Sequence, residues 1–163
     1  MHATAEQWIE RLRLEPHPEG GLYREVFRSP HEIALARGAR SALTAIHFLL
    51  PAGSFSAFHR VQSDEAWCHQ DGDPLELAVL SEAGALALHR LGTDVERGEQ
   101  PLAVVPAGAW QAAAPLGKRY ALCACLVAPG FDFADFELTP RAALLARFPG
   151  HRGLIERFTR AHP

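Results

Sequence analysis

The sequence predicts a mostly β protein, a double-stranded β-helix of the jelly-roll type with helices at its N- and C-terminal ends. Three observations carry this. Short apolar or alternating runs bounded by Gly, Pro, Ser or Asp recur from Leu22 to Phe136. Helical periodicity is confined to the two ends. The chain has 163 residues, which suits one domain with a core of its own. Many short strands between terminal helices fit two packed sheets or a closed β-structure. A mixed α+β sandwich is the alternative. The expected layout is a single domain over 1–163, with the barrel at about 22–137 and helices at about 4–14 and 140–161.

The elements follow in order. Residues 4–14 have a capping box, Thr4 with Gln7, and an apolar stripe of Trp8, Ile9 and Leu12. Pro16 is expected to end that helix. EPHPEGG (15–21) reads as a turn-rich connector. LYREVFRS (22–29) alternates like a strand, residues 30–40 read as a polar loop, and SALTAIHFLLP (41–51) as a long buried strand. GSFSAFHRVQSDEAWCHQDG (53–72) holds two extended runs around the turn QSD, expected to pair as a hairpin. LELAVLS (75–81) and ALALHRL (85–91) flank the tight turn EAG and read as a hairpin. After the surface loop GTDVERGEQ, PLAVVPAGAWQAAAP (101–115) holds two short strands around Pro-Ala-Gly. RYALCACLVAPGFDF (119–133) is a long strand and a turn. Thr139 is the expected N-cap of a helix that Pro140 opens, and Leu154, Ile155 and Phe158 share one side of a last helix around 151–161.

Composition narrows the function. The chain is 48% hydrophobic and 21% charged, with a formal net charge of −3. No basic run suggests nucleic acid as a partner. No apolar run approaches the roughly 18 residues of a spanning helix. The amphipathic N-terminus does not resemble a signal peptide, so a cytoplasmic location is expected. Three cysteines leave an odd count. Cys123 and Cys125, two apart on one strand, are awkward to bridge and read as free core thiols in a reducing compartment.

The stretch 53–72 carries the chemistry. Gly53, His59, Val61, Glu65 and Gly72 are separated by five, one, three and six residues. Strand alternation places His59 and Val61 on one face, and Glu65, Trp67 and His69 on another. An imidazole and a carboxylate that converge in a partly apolar pocket suit either a metal or acid–base chemistry. Pro106, Gly108 and Gln111 form a second spaced set about thirty residues on, where Pro-x-Gly turns the chain and Gln111 follows on the next strand.

These spacings resemble the two cupin motifs. The first, G-x5-H-x-H-x3-E-x6-G, has Val61 at its second His. The second, G-x5-P-x-G-x2-H-x3-N, has Gln111 at its His and lacks the leading Gly and trailing Asn. Together with PEGGLYRE (18–25), SALTAIHFLL (41–50), HRVQSDEAW (59–67), GDPLEL (72–77), VPAGAWQAA (105–113) and VAPGFDFADFEL (127–138), nearly the whole chain resembles the cupin-5 family of the cupin superfamily. The resemblance implies a cupin barrel, commonly dimeric, with an interior small-molecule cavity and no established activity. The chain departs from the family pattern after Trp67, where Cys68, His69 and Gln70 replace a His and two aromatics.

Three functions are open. The first is a metal-independent isomerase or epimerase of a sugar or nucleotide sugar, as the resemblance to cupin sugar epimerases implies. His59 would be the base, Glu65 would orient it or raise its pKa, and Tyr23 or a water would supply the acid. The second is a metal-dependent cupin oxygenase, with a divalent metal on His59, Glu65 and Gln111 and with His47 or His69 completing the set. The third is a ligand-binding module without turnover. Val61 and Gln111 argue against tight metal binding, so no cofactor is expected. Ser54, Ser56, Phe48, Trp67, Gln111 and Tyr23 are the expected ligand contacts, with Trp110 a further aromatic that stacks or packs. The expected partners are a polar small molecule and a second copy of the chain, since 41–50 is apolar on both faces; neither nucleic acid nor a membrane is expected.

Overall fold

The computed structural model describes residues 3–160. It opens with α1 (Ala5–Leu12), then β1 (Glu15–Pro16), β2 (Leu22–Arg28), β3 (Glu32–Ile33), β4 (Arg40–Ser41), β5 (Thr44–Leu50), β6 (Ser56–Val61) and β7 (Asp64–Gly72). It continues with β8 (Leu75–Leu80), β9 (Leu86–Leu91), β10 (Leu102–Val105), β11 (Trp110–Pro115), β12 (Ala121–Ala128) and β13 (Phe136–Leu138), and closes with α2 (Arg141–Arg147) and α3 (Arg152–Arg157). Among the described residues the strands form a six-stranded sheet, β1-β2-β5-β12-β7-β10, a five-stranded sheet, β13-β6-β11-β8-β9, and the pair β3-β4. This is the jelly roll expected from the sequence. Met1, His2 and residues 161–163, which include the expected end of the last helix, lie outside the described residues.

Side-chain alternation builds three apolar layers. Between the sheets lie Phe48, Leu50, Trp67, Leu75, Leu77, Val79, Leu91 and Cys123, among others. The outer face of the five-stranded sheet offers Phe58, Ala78, Leu80, Trp110 and Ala112, which α2 and α3 cover with Leu144, Phe148, Ile155 and Phe158. Trp110 therefore packs outside the barrel, under the Arg60 guanidinium at 4.8 Å. Helix α1 covers one end of the six-stranded sheet through Leu49, Tyr120 and Leu122. The Trp8 indole fixes it there, donating to Asp71 Oδ2 and to the Tyr120 hydroxyl, both at 3.0 Å.

Four local expectations are corrected. The first concerns the runs on either side of QSD, which do not pair. β6 pairs with β11 and β13, and β7 with β10 and β12, so the turn carries the chain from one sheet to the other. Asp64 Oδ1 accepts from Ala107 N at 2.8 Å and Val61 O from Gly108 N at 2.8 Å, so that crossing is tied to the Pro-Ala-Gly turn. The second is the end of α1: the helix stops at Arg13, which is left-handed at φ 52°, before Pro16 is reached. The third lies inside the polar loop, which contains β3 and β4. The fourth is Thr139, which donates to Glu137 at 2.8 Å and does not cap α2; Pro140 holds that position.

Candidate active site

The two sheets enclose a cavity of about 320 Å³. His59 and Val61 reach it from β6, and Glu65 and Trp67 from β7, as alternation requires. Tyr23, Ile46 and Phe48 line it from β2 and β5. Its remaining polar floor comes from the connector before β2, through His17 and Glu19.

The connector is folded onto β6 by its glycines. Gly20 has φ +115°, and a Cβ there would lie 2.3 Å from Phe55 O, so only glycine fits. The close approach lets Ala57 N donate to Glu19 O at 2.8 Å and Ser56 Oγ to Glu19 Oε1 at 2.8 Å. Arg160 Nη2 donates to Glu19 O at 3.1 Å from the other end of the chain. Glu19 is thereby 5% exposed beside His59 at 2%.

His59 pairs with Glu19, not with Glu65. His59 Nε2 stands 3.2 Å from Glu19 Oε2. Its Nδ1 lies 2.8 Å from Ala57 O, which only accepts, so Nδ1 carries the hydrogen and the lone pair of neutral His59 faces Glu19. Burial pushes Glu19 up to about 8, against the Ser56 hydrogen bond and the Arg160 charge. Glu19 Oε2 stands between two imidazole nitrogens, His59 Nε2 at 3.2 Å and His17 Nδ1 at 3.3 Å, and burial favours its protonated form, which can donate to either. Burial pulls the His59 pKa down, while Glu65, as expected, and the Ala57 carbonyl act the other way. His17 stays neutral as well. Its Nδ1 accepts from Glu19 N at 3.3 Å, and burial followed by the nearby His59 lowers it to about 4.

Glu65 stands on the opposite wall. Burial lifts it to about 7, opposed by His59 and reinforced by Glu19. Its Oε2 accepts from Gln111 Nε2 at 2.6 Å, while Gln111 Oε1 accepts from Trp67 Nε1 at 2.8 Å. Gln111 is opposite His59 in the β6–β11 register, yet both ends of its amide are engaged in this bridge between the sheets. Ser56 is fully buried behind Glu19 and holds it. Ser54 is a correction: its Oγ donates to Pro51 O at 2.7 Å inside a turn, away from the cavity lining. His47 lies on the opposite face of β5 from Phe48, 3.3 Å from Gln70 Oε1. His69 Nε2 donates to Asp73 O at 3.0 Å.

A divalent metal does not fit these residues as they stand. Val61 offers no donor, the Gln111 oxygen is taken by Trp67, and His47 and His69 are tied elsewhere. Among the described residues no group of three or more His, Cys, Asp or Glu is arranged to hold a metal ion.

The sequence reading missed His17 and Glu19, and with them Glu25, Arg28, Phe131, Asp132 and Phe133, which form the mouth. The available signal was the Gly20-Gly21 pair, which marks a backbone that must approach another strand closely. Asp135 anchors the mouth segment: it accepts from Arg37 Nε at 3.1 Å and from Arg40 Nε and Nη2 at 2.9 and 2.8 Å, and is 4% exposed.

Comparison with known proteins agrees with this architecture. A hypothetical protein from Leishmania major superposes with a TM-score of 0.91 at 38% identity, covering 96% of this chain and 99% of that one. Protein SO0799 from Shewanella oneidensis gives 0.92 at 37% identity, covering 98% and 99%. The uncharacterized protein YML079W of Saccharomyces cerevisiae is 28% identical over 149 residues, 82% of this chain and 74% of the yeast protein. Oxalate decarboxylase from Bacillus subtilis, at 16% identity and a TM-score of 0.57 over 88% of this chain and 36% of its own, shares the fold alone. Residues 6–139 match the family described as Cupin superfamily (DUF985), and the chain belongs to that family.

Proposed function

We propose that the cavity binds a small polar molecule and moves a proton on it without a metal, as an isomerase or epimerase of a single sugar-like ring. The observation that carries this is the floor: Glu19 Oε2 stands 3.2 Å from His59 Nε2 on one wall, its carboxyl pushed up to about 8 by burial, and Glu65, lifted to about 7, stands on the other. A group that titrates near neutrality is suited to both taking and returning a proton. Two such centres on opposite walls suit removal of a C–H proton from one face and its return on the other. Glu65 is the favoured first base, because His59 is already tied to Glu19. The His59–Glu19 pair then holds the proton to be delivered. Tyr23 lies one aromatic contact further out, edge to face with His17 at 4.7 Å. At about 320 Å³ the cavity stands at the small end of ligand pockets, which span roughly 300–1,000 Å³. One ring and its substituents fit; a nucleotide would remain in the mouth.

Solvent-isotope wash-in tests the reading. Aldoses, ketoses and their keto nucleotide derivatives are incubated with the protein in D2O, and deuterium on carbon is read by NMR. The expected result is incorporation with wild type and its loss in Glu65→Gln and His59→Ala. A ligand that binds in the cavity yet gains no deuterium defeats the enzymatic reading. It would leave a binding module without turnover, which the engagement of both His59 nitrogens favours.

We also propose that the chain pairs with a second copy through the outer face of its six-stranded sheet. The registers place Phe27, Ala45, Leu126, Ala66 and Val104 in one row across five strands, and Arg24, His47, Ala124, Cys68 and Leu102 in the next. Phe27, Val104 and Leu102 are about half exposed, and α1 covers only the Leu49–Leu122 end. An apolar face of this extent is costly in water and suits a like surface.

A further inference from the structure

A ligand in the cavity meets four carboxyl groups and one guanidinium. Glu19, Glu65, Glu25 and Asp132 line it, and among the described residues Arg28 is the single cation in the lining. Arg28 is already committed. Its Nε and Nη2 donate to the two Glu25 oxygens at 3.0 and 2.8 Å, and Nη2 also donates to Phe131 O at 3.0 Å. That fork matches a carboxylate in shape and charge, so an anionic ligand would have to break it and then lie beside Asp132. Burial works against positive charge on either imidazole, and His59 Nε2 and His17 Nδ1 both face Glu19 Oε2, at 3.2 and 3.3 Å, leaving neither nitrogen free for an anion. The walls above the floor are aromatic. Phe48 and Trp67 meet edge to face at 5.4 Å, and Phe131 and Phe133 at 5.0 Å. Phe133 is 52% exposed at the mouth and stacks over His17 at 6.0 Å. Aromatic faces attract a cation placed within about 6 Å of the ring centroid, more strongly where water is excluded.

We propose that the cavity selects a small organic cation, an amine-bearing ring whose ammonium group sits between the Glu65 carboxyl and the aromatic wall. The proposal rests on the reading of this cavity as the functional site and adds the charge of what it takes. It turns that reading from sugars in general toward amino-substituted rings, and away from phosphorylated or carboxylate ligands. The buried carboxyls fit the same picture. Without a counter-charge, burial raises Glu65 to about 7 and Glu19 to about 8; a bound ammonium supplies the charge that favours the ionised form of Glu65. His59 from β6, Glu19 from the connector, Gln111 from β11 and Cys125 from β12 are the groups that act on that carboxyl.

Three probes with one ring and three charges test it: cyclohexylammonium, cyclohexanol and cyclohexanecarboxylate, titrated calorimetrically into the full-length protein at pH 7.5. The expected order is cyclohexylammonium tighter than cyclohexanol by at least about tenfold, with the carboxylate weakest. Glu65→Gln is expected to erase most of the preference for the ammonium. Phe133→Ala, at an exposed position where folding is not at stake, is expected to weaken cyclohexylammonium several-fold and leave the order unchanged. Equal binding of alcohol and ammonium, tighter binding of the carboxylate, or no binding of any probe overturns the proposal. If a probe binds but the order is wrong, and Phe133→Ala still weakens it, the charge assignment fails while the cavity stands as the site. If the probes bind and neither variant changes their affinity, the cavity is not where they bind, and the functional reading falls with the proposal.

Discussion

Glu19 offers a test that needs no substrate. Its carboxyl titrates near 4.5 when unfolded and at about 8 in the folded chain, and Glu65 moves from 4.5 to about 7. In both windows the folded state holds a proton that the unfolded state has lost. Stability therefore falls as pH rises from the unfolded value through the folded one, by about 1.4 kcal/mol per pH unit for each group. The histidines oppose this. Unfolded imidazoles bind protons below 6.5, while buried His17 holds none until about 4 and His59 is lowered too, so their neutral burial gains stability as pH rises to 6.5. Below that point two falling contributions meet two rising ones and stability changes little. Above it only the carboxyls remain, Glu65 for half a unit and Glu19 for one and a half. The loss between pH 6.5 and 8.5 should be about 3 kcal/mol. Burial also raises the thiols of Cys68, Cys123 and Cys125 above 9, which adds a loss of the same sign at higher pH, so 8.5 is the upper limit of the scan. Glu19→Gln keeps the Ser56 hydrogen bond and can still donate to His59, but it does not titrate. The variant should lose less than about 1 kcal/mol over the same range, and so gain about 2 kcal/mol on wild type between pH 6.5 and 8.5. Urea unfolding at pH 6.5, 7.5 and 8.5 measures both. A wild type whose stability is level or rising across that range, or a variant with the same slope as wild type, refutes the assignment of a buried proton to Glu19.

Two further outcomes are expected. Chelator-washed protein should retain well below one equivalent of iron, manganese, nickel or zinc by plasma mass spectrometry, because Val61 and the engaged Gln111 leave too few donors for tight binding; stoichiometric metal would show that these side chains rearrange to bind. Light scattering at micromolar concentration should return twice the 17.8 kDa chain mass and about one chain mass for Leu126→Arg, which places a charge in the middle of the outer apolar row; a wild-type monomer would remove the proposed second copy.

Half of the floor was legible in the sequence and half was not, for a physical reason. The inward direction of His59, Val61, Glu65 and Trp67 is local information: strand parity fixes it once turns bound the runs. Gly72 at φ +92° is one such bound, since a Cβ there would collide with Tyr120 O at 2.0 Å. Parity gives the face of a strand but not its neighbour. The QSD turn therefore read as a hairpin, although the long-range bonds from Asp64 and Val61 to the Pro106–Gly108 turn send β7 into the other sheet. The same limit hid Glu19. No periodicity marks it, its segment is an irregular connector, and what buries it comes from Ser56, Ala57 and Arg160, the last 141 positions away.

That difference explains why the neighbour of His59 Nε2 is Glu19 and not the expected Glu65. A sequence pairs groups that are near in the chain, and Glu65 is six residues from His59. The fold pairs groups whose backbones are near in space. Gly20 allows the connector to lie against β6 at a distance no other residue permits, and this brings Glu19 to the Nε2 side of an imidazole whose Nδ1 hydrogen is already given to Ala57. Glu65, released from that role, stays on the opposite wall with its own proton near neutrality. The proposed removal and return at one carbon needs one group free to take a proton and another holding one to give; Glu65 and the Glu19–His59 pair stand apart on two walls, whereas the His59–Glu65 pair expected from the motif spacing would have placed both roles at one point.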